Sequence, residues 1–342
     1  MSKGIVLISG ATGFVGTEVA LQFAQAGYSV RGTARSAAKI ADWKKANPGY
    51  NDSIQWVIVE DGTVPGSFDL AIKGVQYVVH SGMPFHYDFK PEDNASAMLL
   101  PCINISKAIM EAATSEPSVK HIVVTSSLAA VLNLPDLPNA GHTYTGKEWN
   151  RTTYDEAVVS PNSVVVYCAS KALGERVIWE HPSRKFRVTS ICPPMIYGPP
   201  RQAVKSLESL NTSSQAIWSL ISGKSADPVP PSGVVSGIDI RDVAALHVRA
   251  IDTADSASED RRVLAIAFHR FNCHLVASLL QTFADSPEKQ QRIKNGGGDP
   301  LYEHYETDTS EAEALLGRPF IGVDQCMKDT ALRLWEIEST VS

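Results

Sequence analysis

No window of the sequence approaches the ~20 consecutive apolar residues of a membrane span. The N-terminal apolar run, Ile5 to Ile8, is also too short for the core of a secretory signal. Cysteine is scarce: Cys102, Cys168, Cys192, Cys273 and Cys326 are scattered, with no Cys-x-x-Cys pair. That spacing argues against a disulfide framework and suits a reducing compartment, so a cytoplasmic location is expected. His269, Cys273 and His274 lie close in sequence but lack a fourth ligand or a familiar template, and no metal site is expected. Positive charge is not in excess, with 31 Lys+Arg against 37 Asp+Glu and a formal charge of −6. A chain so charged has no global attraction to nucleic acid or to an anionic membrane, and any basic site is local. There are no evident repeats or low-complexity segments.

What is present is a chain of 342 residues, 44% hydrophobic, long enough to bury a sizeable core and larger than one usual domain. Short β-branched runs ("GIVLIS", "YSVRGTA", "IQWVIVE", "VQYVVHS", "HIVVTSS", "FRVTSIC") alternate with helical patterns through about residue 195. That alternation predicts an α/β fold, a Rossmann-type doubly wound parallel sheet. Beyond Pro193, "CPPMIYGPP", "DPVPPSG" and "NGGGDP" punctuate shorter segments and predict a smaller, mostly C-terminal substrate lobe. The expected division is 1–193 for the dinucleotide-binding domain, with 236–252 packing back on it, and 194–235 plus 253–342 for the lobe.

Gly10, Gly13 and Gly16 of "GATGFVG" fall where the first strand turns into a helix, together with Thr12, Phe14 and Val15. Backbone must approach a pyrophosphate closely at such a turn, and the helix N-terminus favours an anion, so a dinucleotide site is predicted there. The second predicted strand ends in Arg35, where a site selecting NAD usually carries an acidic residue. A guanidinium fork suits a 2′-phosphate, which favours NADPH. Lys39 faces the same way if a helix has begun, and Asp61 either edges the adenine or satisfies nearby loop N–H groups.

"YCASK" sets Tyr167 and Lys171 four apart, on one face of a helix that opens at Asn162 or Ser163. A phenol exchanges protons poorly near neutral pH unless an adjacent ammonium stabilises its phenolate, which is the chemistry this spacing offers. Ser126 and Ser127 end the strand "HIVVTSS" at the carboxyl edge, where one hydroxyl could orient a carbonyl and stabilise a developing alkoxide. His80 and His121 sit inside strand patterns and read as structural.

The ordered set of "GATGFVG", "ARSAAK" (34–39), "VVHSGMPF" (78–85), "VVTSS" (123–127), "YCASK" (167–171), "PPMIYGP" (193–199), "IDIRDVAALH" (238–247) and "LLGRPF" (315–320) resembles the extended short-chain dehydrogenase/reductase family. It is most similar to the branch of fungal methylglyoxal and ketone reductases and plant dihydroflavonol reductases. The resemblance implies that Ser127 is the catalytic serine, Tyr167 the general acid and Lys171 its partner. It implies further that Arg35 and Lys39 hold the NADP 2′-phosphate and that Pro193 borders the nicotinamide. The implied reaction is reduction of a small-molecule carbonyl by NADPH. Gly62, Gly82, Met83 and Cys192 depart from the family pattern, and a fourth catalytic residue is not placed beyond a weak case for Asn104.

The expected pocket walls are Phe85, followed by His86, then Ala129, Val131, Met195 and Tyr197. The insertion 133–160, with Tyr144, Trp149 and Tyr154, is either a rim or lid, or a loop packed on the body. A nucleotide-sugar epimerase or dehydratase shares the fold and the Tyr-Lys pair, but Arg35 argues against it. A non-catalytic NADP-binding regulator would have no chemical reason to keep Ser127, Tyr167 and Lys171 together. A monomer or homodimer is expected.

Overall fold

In the computed structural model the described residues are 2–223, 228–232, 235–253, 259–297 and 303–341. Parts of the turn-rich "DPVPPSG" and "NGGGDP" stretches lie outside them. The first half contains β1 (Ile5–Ser9), α1 (Phe14–Gln25), β2 (Ser29–Ala34), α2 (Ala37–Ala46), β3 (Ile54–Ile58), β4 (Tyr77–His80), α3 (Leu100–Ser115) and β5 (His121–Thr125). Then come β6 (Thr143–Tyr144), α4 (Tyr154–Val158), α5 (Ser163–Trp179), β7 (Arg187–Cys192), β8 (Met195–Tyr197), α6 (Thr212–Ile221), β9 (Ser236–Asp239) and α7 (Ile240–Asp252). The remainder is β10 (Arg261–Leu264), β11 (Phe268–His269), α8 (Cys273–Phe283), α9 (Pro287–Arg292), β12 (Glu306–Thr307), α10 (Ser310–Leu316) and α11 (Val323–Val341).

Seven parallel strands form the central sheet in the order β3-β2-β1-β4-β5-β7-β10. Chain direction across the sheet reverses between β1 and β4, which opens a crevice at their carboxyl ends. Helices cover both faces, as the continuous apolar strands require. On one face Val19 and Phe23 of α1 share a core with Val243 and Leu246 of α7; on the other, Ile109 and Met110 of α3 pack with Ile122 and Val188. Helix α7 therefore packs back on the large body, entered through Asp239, whose side chain accepts from the Arg241 N–H at 2.8 Å.

Two segments assigned to the lobe by the sequence belong to the large body instead. Strand β10 pairs with β7, and Ala312, Leu315 and Leu316 of α10 sit in the same core as α7. Their apolar faces complete the sheet edge and its helix layer, a long-range closure that local pattern does not reveal. The smaller layer comprises the sheet β11-β9-β8 and an apolar core shared by α6, α8 and α11.

Candidate active site

The first turn is built by close backbone approach. Gly10 has φ +69°, and a Cβ there would lie 2.9 Å from the Gly82 Cα; a Cβ on Gly16 would lie 2.2 Å from the Gly10 carbonyl oxygen. The Gly13 cap of α1 offers no side-chain bond to the helix N–H groups. Side chains are thus excluded where a pyrophosphate needs backbone, and the loop fits a dinucleotide. Gly82, a departure from the family pattern, matches that crowding: its N–H donates to Ser9 Oγ at 3.1 Å.

From this loop one cavity of about 580 Å³ runs past Thr12, Arg35, Lys39 and Asp61. Arg35 follows β2 directly, and Lys39 lies in the first turn of α2. Both are exposed, and neither has an ion-pair partner among the described residues. Asp61 accepts from the Thr63 hydroxyl and N–H at 2.7 and 2.8 Å, which lower its pKa, with the Arg35 charge adding to the effect. Its observed bonds are those of a loop aspartate, although it also lines the cavity.

A second cavity of about 360 Å³ shares Gly10 and Gly13 with the first and continues past Phe14, Val15, Gly16, Lys171 and Pro193. A third, of about 430 Å³, is walled by Ala129, Leu132, Leu134, Leu137 and Tyr305. Phe85, Ser127, Tyr167, Pro194 and Met195 wall both the second and the third. The three form a groove in series, with the Ser-Tyr pair at the last junction.

The two serines separate cleanly. Ser126 Oγ turns inward and donates to the buried Glu175 at 2.6 Å, whereas Ser127 Oγ accepts from the Ala129 N–H at 3.1 Å and lies with Tyr167 on the wall of both cavities. Leu128 N–H donates to the Pro193 carbonyl at 2.8 Å, fixing this strand end against the next. Burial raises the Tyr167 phenol well above its ordinary pKa, the Tyr87 phenol adds to this, and the Ser127 hydroxyl opposes it. Phe85 and Tyr87 meet the Tyr167 ring edge-on at 5.2 and 5.1 Å. Lys171 is pulled below the ordinary ammonium range by burial, with Glu175 among the groups that oppose the shift. Its Nζ donates to Met83 Sδ at 3.5 Å, so this second departure from the pattern touches the expected Tyr-Lys pair through its lysine.

Other expected residues lie elsewhere. Val131, expected as a wall, is fully buried in an apolar core with Leu128 and Tyr144, because it faces inward from the turn that carries Ala129 outward. Tyr197 is likewise no wall: it packs against Phe271 at 5.2 Å inside the smaller layer. His86 is exposed beside Phe89, and Asn104 on α3 lines none of the three cavities. His274 bonds the Gly297 carbonyl at 2.8 Å, while His269 lies on β11. His80 is pushed down to about 3 and His121 to about 4, each chiefly by burial. The insertion both edges a cavity and packs on the body. Leu134, Leu137 and Pro138 line the third cavity, and Tyr144 and Trp149 pack against Tyr305 and Trp179.

Sequence reasoning missed Tyr87, Leu132 and the C-terminal Tyr305 as walls, and also the anchor behind β5. There His247 Nδ1 donates to the Val243 carbonyl at 2.7 Å and its Nε2 accepts from the Thr125 hydroxyl at 2.8 Å. The histidine within "IDIRDVAALH" was the available signal, but its partner is 122 residues away.

Residues 6–267 match the sequence pattern of the NAD dependent epimerase/dehydratase family. An uncharacterized oxidoreductase of Schizosaccharomyces pombe is 38% identical over 98% of both chains. The NADPH-dependent methylglyoxal reductase GRE2 of Saccharomyces cerevisiae is 28% identical over 98% of this chain and 99% of its own. The crystal structure of yeast methylglyoxal/isovaleraldehyde reductase Gre2 complexed with NADPH superposes with a TM-score of 0.82 at 26% identity, covering 98% of this chain and 99% of that one. By the span of the family match and by these end-to-end likenesses, the chain belongs to the NAD dependent epimerase/dehydratase family, as its resemblance to the extended short-chain dehydrogenases/reductases implies.

Proposed function

We propose that this chain is an NADPH-dependent carbonyl reductase acting on a ketone or aldehyde with a bulky apolar substituent. One observation carries the reading: a phosphate-fitting groove and an apolar cavity meet at Ser127 and Tyr167. The glycine loop and the N-terminus of α1 would hold the pyrophosphate, Arg35 and Lys39 the 2′-phosphate, and Asp61 the adenine edge. Pro193 would border the nicotinamide. When bound, NADPH supplies the hydride that the carbonyl carbon takes up. Tyr167 holds its proton because burial keeps the phenol neutral, and it releases that proton to the carbonyl oxygen as charge gathers there. Ser127 orients the same oxygen through its hydroxyl. Lys171, on the same face of α5, stabilises the phenolate that remains.

The family's name covers epimerases, but an exposed arginine in place of an acidic residue after β2 opposes a resident NAD. A three-carbon dicarbonyl would fill little of a cavity of about 430 Å³ walled by leucines and aromatic rings. The substrate class favoured is therefore the aryl ketone, β-ketoester or dihydroflavonol-like carbonyl. Five free cysteines suit the cytoplasm.

The test follows NADPH and NADH oxidation by the purified chain with α-dicarbonyls, β-ketoesters, aryl ketones and dihydroflavonols. Bulky ketones should give higher kcat/KM than methylglyoxal. Tyr167→Phe should still bind NADPH while losing about 100-fold or more of kcat. Absence of turnover with every carbonyl, or a near-normal Tyr167→Phe, would sink the reading.

A further inference from the structure

We propose that Glu175, clamped by Arg262, is a positioning residue for the reaction: it fixes Ser126, and with it the adjoining Ser127, relative to Tyr167 and Lys171 on its own helix. The proposal rests on the reductase reading above. Glu175 is wholly buried on α5, one helical turn beyond Lys171. A buried carboxylate is costly unless its lone pairs are engaged, and here they are. Ser126 Oγ donates to Oε2 at 2.6 Å, and Arg262 donates from Nε to Oε1 at 2.8 Å and from Nη2 to Oε2 at 3.1 Å.

The arginine reaches further. Its Nη2 also donates to the Ala130 carbonyl at 3.0 Å, and its Nη1 donates to the carbonyls of Gly146, at 3.2 Å, and Glu148. Its guanidinium lies 3.8 Å from the centre of the Trp149 ring. Only glycine fits opposite: a Cβ on Gly146 would lie 1.8 Å from the Arg262 carbonyl oxygen. One ion pair thus ties together the catalytic helix, the turn after Ser127 and the insertion whose leucines wall the substrate cavity.

An apolar pair of similar volume would hold α5 against β10 comparably well. What it could not do is orient a serine hydroxyl or present negative charge to Lys171. The other groups facing Lys171 do not supply that charge. The thiols of Cys102 and Cys192 are pushed up by burial, the latter to about 12, and His80 stays neutral.

The full chain carrying Ser126→Ala, Ser126→Thr or Glu175→Gln is assayed for kcat and KM with one ketone, for the NADPH dissociation constant by fluorescence, and for the thermal midpoint. Ser126→Ala leaves the ion pair intact, so the decision does not depend on Glu175→Gln folding. Its kcat should fall about tenfold, with KM and NADPH binding within about twofold, and Ser126→Thr should recover most of the loss. Glu175→Gln, if folded, should lose more. An unchanged kcat in Ser126→Ala overturns the proposal. So does a loss that threonine does not restore, or one matched by lost NADPH binding, because either marks a packing role. A wild-type chain that reduces no carbonyl would overturn the reductase reading, and this proposal with it.

Discussion

Arg35 stands immediately beyond β2, exposed on the wall of the first cavity, with Asp61 on the same wall but no ion pair to it or to any other carboxylate among the described residues. A guanidinium held in this way costs little to desolvate against a phosphate and gains charge-assisted bonds there. Arg35→Asp should lower the ratio of kcat/KM for NADPH to that for NADH by about 10- to 100-fold, and paired rate measurements with both cofactors would show it. An unaltered ratio would place 2′-phosphate recognition elsewhere. Lys39, on the first turn of α2, should contribute less, because an ammonium makes one point contact where the arginine makes a fork. At the reacting centre, exposure and burial divide the work differently. Tyr167 is enclosed by the Phe85 and Tyr87 rings, and Lys171 Nζ rests on Met83 Sδ, so in the proposed reaction both work out of contact with bulk water.

At the scale of the element, the turn after β5 sorts its side chains by direction. Val131 points into the core and Leu134, three residues on, lines the substrate cavity. Val131→Ala should therefore cost about 2 kcal/mol in denaturant unfolding with little effect on KM. Leu134→Ala should do the reverse, changing KM for a bulky ketone several-fold with a small stability change; equal effects on both measurements would contradict this division. The sequence could not separate these two residues, since both are apolar and the turn that orients them is set by Ser127 and by contacts from Asn150 to the Ala130 and Leu132 carbonyls. The elements that local pattern does specify were legible: β1 with its glycine loop, the arginine after β2, and the helix bearing Tyr167 and Lys171. Those that form through partners distant in sequence were not. Strand β10 and helix α10 reach the large body only through tertiary pairing, and Tyr305 reaches the cavity because β12 pairs with β6. Ser126 and Ser127 are adjacent and chemically alike; the resemblance singles out Ser127, and the physical reason, Glu175 taking the Ser126 hydroxyl, comes from a residue 49 positions away.

For the molecule as a whole, burial of charge-switching groups sets its acid tolerance. His80 and His121 are buried in the sheet and His247 on the inner face of α7, and burial pushes them down to about 3, 4 and 4. In the unfolded chain the same groups take up protons near pH 6.5. Between about pH 6.5 and 4 the unfolded state thus binds more protons, so stability is full above that window and falls as the pH drops through it. Each histidine contributes a slope of at most about 1.4 kcal/mol per pH unit. Urea midpoints should decline from pH 7 to pH 5, and His121→Gln, which keeps an N–H near Thr189, should flatten the decline; a midpoint independent of pH would contradict the account. The same body has its specificity distributed unevenly. Phe85, Ser127, Tyr167, Pro194 and Met195 belong to two cavities at once, so no change in them alters substrate choice without also altering the groove beside it. Leu134, Leu137 and Tyr305 belong to the substrate cavity alone. On the proposed reading, variation confined to these three side chains can therefore retune which carbonyl is accepted while the reducing apparatus stays fixed, which makes this enzyme's chemistry conservative and its diet adaptable.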